Sequence, residues 1–130
     1  MGGDGMKRDM ELVRELLLYF EAKPDFKVVM PDQVEISGRA QQEVHYNILL
    51  VCEAGLLTCE RVESPTTPSR LVNAFPFGLT WSGHEFLDAA RNDGLWQQAK
   101  RRLGAEGLGL GFGLLQALLV SLAKQQLHLS

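Results

Sequence analysis

The sequence predicts an α+β domain, and three observations support this class. The 130-residue chain alternates segments of helical periodicity with short segments rich in β-branched and aromatic residues. One helical segment ends at "EAGLL", two β-prone segments follow it, and helical periodicity returns at "LTWSGHEFL". The predicted order is helix, strand, helix, β-hairpin, helix, with one extra C-terminal helix. This order is typical of a winged-helix-like domain, in which the hairpin is the wing and the helix before it holds the recognition position.

The first helix and a short strand are predicted in the first third of the chain. Helix one covers 9–22, because Asp9 is suited to cap its start and apolar residues recur at helical spacing. These apolar residues are Val13, Leu16, Leu17 and Phe20. A strand is expected at 33–37, where Val34 and Ile36 favour extended structure.

Helix two and the hairpin are predicted next. Helix two covers 40–54, and Gly55 followed by Leu56 is the sequence of a Schellman stop, in which the second residue packs back on the last turn. The two hairpin strands are "LLTCERVE" and "SRLVNAFPFGLT", and "SPTTP" between them is suited to an exposed tip.

The remaining segments are predicted to be helical, with one break and one connector. A third helix begins either with Thr80 as its cap or with a capping box formed by Ser82 and Glu85. Its inward side chains are expected to be Phe86, Leu87 and Ala90. "NDG" interrupts the helix before "LWQQAKRRL", "GAEGLGLG" is a flexible connector, and a last helix covers 110–127.

Composition indicates one globular domain. Hydrophobic residues make up 45% of the chain and charged residues 22%, and the length allows a core without staples. The formal charge of −3 disfavours a protein that coats nucleic acid non-specifically, because such binding needs many cations on phosphate. The two cysteines, Cys52 and Cys59, are too few for a disulfide scaffold, and we expect both thiols to be free in a reducing cytoplasm.

A cytoplasmic location without a membrane segment is predicted. No basic segment followed by an apolar one opens the chain, and the least charged stretch, 107–123, is short and rich in glycine. Residues 1–5, "MGGDG", are expected to be a disordered extension. The winged-helix-like domain then covers 6–103, and a connector with an apolar helix covers 104–130.

Four segments of the chain are distinctive: "MKRDMELVRELLLYFE", "EAGLL", "LTWSGHEFLDAARND" and "LLQALLVSLAKQQL". Together they resemble an uncharacterised bacterial and phage family, a domain of unknown function related to YjcQ-like proteins. The resemblance runs from Met6 nearly to the end, and it implies a winged-helix-like fold without an established activity or catalytic residues. The sequence departs from the family pattern at Ala40, where a capping Ser or Thr is expected, and at Asn47, where a His is expected.

A nucleic-acid-binding surface is predicted on helix two and the hairpin. Polar side chains on a recognition helix read base edges, and cations beside them bind phosphate. The residues that fit these roles are Arg39, Gln41, Gln42, His45 and Tyr46 on or beside the helix, and Arg61 and Arg70 on the hairpin. Glu43 and Glu53 on the same helix repel phosphate. The other interpretation is that this is a solvated face on a helix that only packs.

Catalysis, metal binding and cofactor binding are not predicted. The available metal ligands, the two cysteines and His45, His84 and His128, lack the spacing of a zinc site. Ser82 and His84 lie two apart on a helix and point to different faces, so they do not form a catalytic relay. We therefore expect no enzyme activity, no cofactor and no small-molecule substrate.

The last helix is predicted to form an interface. It is apolar around most of its circumference, and a domain of this size can seldom bury such a helix completely. The residues expected in the interface of a homodimer are Phe112, Leu115, Leu118, Leu119 and Leu122. The alternative is a monomer whose own core covers this helix.

The sequence thus indicates a small bacterial or prophage-derived binding module. One hypothesis is a dimeric DNA-binding transcriptional regulator, which the winged-helix-like layout favours. The alternative is a protein–protein interaction or assembly module without nucleic-acid binding, which the acidic balance favours.

Overall fold

A computed structural model describes residues 6–110 and 112–128, without the side chains of 105–110, 112 and 128. Within these residues the chain forms five α-helices, one 3-10 helix and one antiparallel sheet of two strands. The α+β class is therefore confirmed, and the order of elements is consistent with a winged-helix-like layout. The predicted disorder of 1–5 lies outside the described residues.

The contacts of the chain divide it into two compact units, one ending at His84 and one beginning at Glu85. In chain order the elements are α1 (Met10–Glu21), a 3-10 helix (Pro31–Gln33), α2 (Gln41–Glu53), β1 (Leu57–Glu63), β2 (Leu71–Leu79), α3 (Trp81–Ala90), α4 (Asp93–Leu110) and α5 (Phe112–His128).

Helix α1 begins as its sequence predicts. The Asp9 side chain accepts hydrogen bonds from the backbone N–H groups of Glu11 at 3.0 Å and Leu12 at 3.2 Å, which are two of the donors that a helix start leaves without a partner. Six apolar residues of the helix are buried, whereas Leu18 is half-buried; the buried six are Met10, Leu12, Val13, Leu16, Leu17 and Phe20.

The predicted strand at 33–37 is wrong. Pro31 begins a single 3-10 turn, whose bonds run from the Gln33 amide to the Met30 carbonyl and from the Val34 amide to the Pro31 carbonyl. A strand needs a continuous ladder with a neighbour, and the sheet in the described residues contains only β1 and β2. Val34, one of the two residues that favoured a strand, instead packs in the core, where it is fully buried.

The segment just before this turn lies against β2 through one backbone hydrogen bond, from Val29 N–H to the Pro76 carbonyl at 2.9 Å. The pairing does not extend along the chain, because side chains occupy the backbone groups of Lys27. Its N–H donates to the Asp25 carboxylate at 3.0 Å, and its carbonyl accepts from Lys23 Nζ at 2.7 Å. These local bonds explain why the segment does not become a third strand.

Helix α2 ends in the predicted Schellman turn. The Leu56 amide donates to the Val51 carbonyl at 2.9 Å, and the Gly55 amide donates to the Cys52 carbonyl at 3.1 Å. Gly55 has a φ of 78°, which a residue with a side chain rarely adopts. Leu56 is buried, as the prediction requires.

The expectation of two free thiols is wrong, because Cys52 and Cys59 form a disulfide. The Schellman turn sends β1 back along the end of α2, so the Cα atoms of the two cysteines lie 6.2 Å apart. Counting cysteines does not reveal this pairing, which depends on how sharply the chain turns after α2.

The hairpin forms where the sequence predicts it. Strands β1 and β2 pair antiparallel from Leu57 opposite Leu79 to Glu63 opposite Leu71, with irregularities near both ends. At the tip, the Ser64 hydroxyl accepts from the amides of Thr66 at 3.3 Å and Thr67 at 3.2 Å, which closes the loop locally.

Of the two predicted starts for helix α3, the structure forms the one at Thr80. The Gly83 amide donates to the Thr80 hydroxyl at 3.0 Å, and the His84 amide donates to the Thr80 carbonyl at 3.0 Å. Thr80 also bonds the turn after α2, because its amide donates to the Leu56 carbonyl at 3.0 Å and its hydroxyl donates to the Gly55 carbonyl. This cap therefore joins the end of α2 to the start of α3.

In the second unit, α4 packs against α5. Helix α4 is broken at Gly104, which has a φ of 69°, and the segment predicted as a flexible connector is helical from there to Leu110. The inward positions predicted for α3 are confirmed, since Phe86, Leu87 and Ala90 are fully buried. The unit's other buried residues include Leu95, Trp96, Ala99, Leu115, Leu119 and Leu122.

Candidate functional site

The candidate site is an open groove between α2 and β2, with a volume of about 390 Å³. Apolar and neutral polar side chains share its lining, and none of them carries a fixed positive charge. The lining residues are Met6, Gln42, His45, Tyr46, Leu49 and Val72. The groove therefore contains three of the seven residues predicted to bind nucleic acid.

A hydrogen bond at this groove joins the helix to the hairpin. His45 Nε2 lies 3.0 Å from Asn73 Oδ1, which also accepts from the Ala74 amide at 2.8 Å. Because an amide oxygen only accepts, His45 donates through Nε2. This bond holds the imidazole of His45 against the hairpin, and its predicted role in reading bases stays a prediction.

Arg39 lies away from the groove and is paired with three carboxylates. Its guanidinium forms a short ion pair with Asp9, and it lies 3.5 Å from a carboxylate oxygen of Glu15 and 4.0 Å from one of Glu43. The side chain is 20% exposed. The one cation predicted beside the recognition helix is therefore neutralised within the chain.

Gln41 lines a second open pocket beside Arg39, of about 510 Å³, with residues of the 34–37 segment. Its side-chain amide donates to the carbonyls of Pro31 at 3.2 Å and Val34 at 3.5 Å. Gln41 thus satisfies the backbone of the preceding loop, and it does not share the groove with Gln42.

The two hairpin arginines lie apart from the groove lining. Arg61 donates from Nη1 to the Cys52 carbonyl at 3.4 Å, so its side chain folds back on the last turn of α2. Arg70 is exposed at the base of the tip, where its backbone pairs with Ser64 and Thr67. Two exposed acids, Glu60 and Glu63, flank Arg61 on β1.

Asn47, in the middle of α2, has a role that the sequence did not reveal. Its side chain is fully buried and makes three hydrogen bonds. The amide oxygen accepts from the Asp9 N–H at 2.9 Å, and the amide nitrogen donates to the carbonyls of Lys7 at 3.1 Å and Glu43 at 2.9 Å. Asn47 thus holds the start of α1 against α2. Its only sequence signal was the departure from the expected His.

The side chain of Glu43 closes the start of α2. Ala40 has no side-chain cap to offer, but its N–H donates to the Glu43 carboxylate at 3.1 Å. Glu43 therefore closes the helix start that a Ser or Thr was expected to cap, and it also contacts Arg39.

The predicted interface residues of α5 differ in exposure. Leu115 and Leu119 are fully buried, Leu122 is 3% exposed, and Leu118 is half-buried. The side chain of Phe112 lies outside the described residues. Among the described side chains of this helix, the large apolar ones that are exposed are instead Leu114, Val120 and Leu127. The homodimer remains a prediction.

Among the described residues, no three His, Cys, Asp or Glu side chains are grouped so that they would hold a metal ion. None of the helices in that part of the chain is long and apolar enough to cross a membrane.

Comparison with known proteins places the chain in a family. The family described as "Hypothetical protein (DUF2513)" matches residues 7–109, which is more than half of the sequence. The chain belongs to the DUF2513 family. The matched residues include all of the groove lining except Met6. They also include Arg39 and its carboxylate partners Asp9, Glu15 and Glu43. The relation to YjcQ-like proteins stays a prediction.

A bacterial relative extends this result. A protein of Haemophilus influenzae described as uncharacterised is 29% identical over 123 residues, which cover 94% of this DUF2513 chain and 99% of the relative. No solved structure matches the chain significantly. The family and this relative are described without an activity, so the function has to be argued from the site.

The ion pair at Asp9 predicts a dependence of stability on pH. Burial raises the pKa of Asp9, but hydrogen bonds from Arg39 and from the Leu12 and Glu11 amides outweigh it and hold the pKa below its ordinary value of 3.8. A carboxyl with a lowered pKa in the folded state stabilises the fold above its unfolded pKa, and it loses this contribution as pH falls through the folded value.

We therefore expect wild type to be more stable than Asp9→Asn at pH 6, and we expect the difference to shrink steadily below about pH 4. Asparagine keeps the helix cap, so the comparison isolates the charge. Urea unfolding of both proteins at pH values from 6 to about 2.5 measures the difference. A constant difference across this range would show that Asp9 does not titrate as the ion pair requires.

Proposed function

We propose that this DUF2513 chain is a binding module that engages a protein partner through the groove between α2 and β2, without catalysis. The observation that carries the proposal is the pairing of Arg39 with Asp9, Glu15 and Glu43. A helix that binds phosphate needs free cations beside its base-reading residues. Here the cation is occupied, and the groove lining is neutral.

The chemistry of the groove supports a protein partner. Met6 is 56% exposed and Val72 is 48% exposed, and Tyr46 and Leu49 are half-buried beside them. Aromatic side chains and methionine are enriched in the centres of protein interfaces, while charged residues are depleted there. The exposed amide of Gln42 adds a donor and an acceptor at the rim.

DNA binding is the rival function, and one feature favours it. The winged-helix-like order of elements places Arg61 and Arg70 on the hairpin, where a wing contacts phosphate. The acids Glu60 and Glu63 on the same strand oppose this role, and so does the bond between Arg61 and the Cys52 carbonyl. A direct binding measurement separates the two functions.

We expect no saturable binding of the purified chain to mixed-sequence duplex DNA, even at low salt, at micromolar protein. Sequence-independent phosphate binding is strongest at low salt, so anisotropy measured at about 20 mM and about 150 mM salt gives DNA binding its best opportunity. Saturable binding at low salt that weakens in Arg61→Ala and Arg70→Ala would replace our proposal with the DNA-binding function.

The protein partner is tested by photo-crosslinking in cells of the source organism. A benzoyl-phenylalanine in place of Tyr46 lies in the groove, and the same residue in place of Phe26 is a matched control, because Phe26 is aromatic, 68% exposed and outside the groove. We expect a discrete protein adduct from position 46 and none from position 26. Adducts from both positions or from neither would contradict binding through the groove.

A further inference from the structure

The disulfide between Cys52 and Cys59 joins α2 to β1, the strand that pairs with the groove-lining strand β2. Cys52 lies in the last turn of α2, and Cys59 lies in β1. We propose that this pair is a reversible redox link that tightens the hairpin against α2 when oxidised and releases it when reduced. The claim that this disulfide regulates the groove rests on the proposed function, whereas the claim that the disulfide is reversible does not.

The fold around the disulfide has other support, so the reduced chain keeps its structure. The Schellman turn is closed by backbone bonds from Leu56 to Val51 and from Gly55 to Cys52. Thr80 adds bonds to the carbonyls of Gly55 and Leu56. Each of these bonds involves backbone groups that reduction leaves intact.

The two cysteines differ in exposure, which favours attack by an incoming thiolate from the Cys59 side. Cys52 is 3% exposed, whereas Cys59 is half-buried on the strand. A reductant therefore reaches the bond at Cys59. In a reducing compartment, disulfides that occur are usually transient or redox-sensing.

The reaction is an ordinary exchange with a cellular dithiol. A thiolate of the dithiol attacks Cys59 Sγ, the sulfur–sulfur bond breaks, and Cys52 leaves as a thiolate that takes a proton. The second thiol of the dithiol then attacks the mixed disulfide and releases Cys59 as a thiol. The dithiol gives up two electrons and two protons and becomes a disulfide, while the protein gains two thiols. Oxidation runs through the reverse steps.

Reduction changes how the hairpin is held to α2. In the described part of the oxidised chain, α2 packs on both strands, and the bonds between α2 and the hairpin include the disulfide, the Arg61 bond to the Cys52 carbonyl, and the His45–Asn73 bond. The disulfide is covalent, and the other two are single hydrogen bonds, whose net contribution to stability is modest. Without the covalent link, we infer that the hairpin opens more often and that Val72 moves relative to the α2 side of the groove.

Equilibration in buffers of oxidised and reduced dithiothreitol tests the link on the full chain, with free thiols trapped by alkylation and counted by mass. We expect full and reversible conversion between the oxidised and reduced forms. Amide exchange in β1 and β2 should be about tenfold faster or more in the reduced form, while amides in α4 and α5 serve as the internal reference. The double variant Cys52→Ser/Cys59→Ser should match the reduced wild type.

Three results would overturn the inference. The pair could remain as free thiols under oxidising buffer, the reduced chain could lose its helical circular dichroism, or hairpin exchange could be the same in both forms. The adduct at position 46, measured in wild type and in the double variant, tests the regulatory part separately. An adduct missing from both defeats the proposed partner and leaves the exchange result standing, whereas equal adducts in both defeat regulation alone.

Discussion

Gly83→Ala is expected to lower the free energy of unfolding by about 3 kcal/mol or more, because the new side chain has no space. A Cβ atom at this position would lie 2.1 Å from the Leu56 carbonyl oxygen and 3.1 Å from its carbon. The obstacle is backbone and cannot rotate away. The same carbonyl accepts the Thr80 amide, so moving it also breaks the joint between α2 and α3.

Chemical denaturation of Gly83→Ala beside Gly113→Ala measures this effect against a matched control. Gly113 is also a helical glycine, but a Cβ there meets nothing within 4 Å. Alanine at Gly113 should leave stability unchanged or raise it by up to about 1 kcal/mol, since alanine favours helix. If the free energy of unfolding of Gly83→Ala were within about 0.5 kcal/mol of the wild-type value, Gly83 would not lie in close contact with the Leu56 carbonyl.

Asn47→Ala should cost about 3 kcal/mol of stability, which is the second largest effect we expect. The substitution removes the side-chain partners of the Asp9 amide and of the Lys7 carbonyl, which are part-buried. The cost of leaving such groups unsatisfied exceeds the modest net value of the bonds themselves. Asn47→Ala also releases the start of α1, whose cap is Asp9.

Gln42→Ala on the same helix is the control, because Gln42 is exposed and lies in the groove. We expect its stability to stay within about 0.5 kcal/mol of wild type. Urea unfolding monitored by circular dichroism compares the two variants. Equal stability of Asn47→Ala and Gln42→Ala would mean that the buried bonds of Asn47 contribute nothing.

Helix ends were predictable because their chemistry is local. Asp9, Gly55 and Thr80 each act on groups within a few residues, so their residue type and position indicate their role. The predicted strand at 33–37 failed because a strand depends on a partner elsewhere in the chain. Propensity also did not show that the side chains of Lys23 and Asp25 bond the backbone of Lys27, in the segment that lies against β2.

The candidate site was predictable only in part, because charge and burial depend on distant residues. Arg39 looked like a free cation until the fold placed Asp9 beside it, 30 residues away in sequence. Leu49 is an apolar residue of α2 whose type favours the core, yet it is half-buried and lines the groove. Val72 carried no signal in the sequence, since a β-prone residue on a strand is expected on either face.

The joint at Thr80 has a consequence for how quickly the chain folds. Its hydroxyl bonds a carbonyl 25 residues earlier, and the hairpin between the two residues brings them together. Contacts between residues close in sequence are made early, because closing a short loop costs little chain entropy. The segment from α2 to the start of α3 is therefore suited to be the folding nucleus of the first unit. Helix α1, which reaches this segment through Asn47, would then dock after the nucleus has formed.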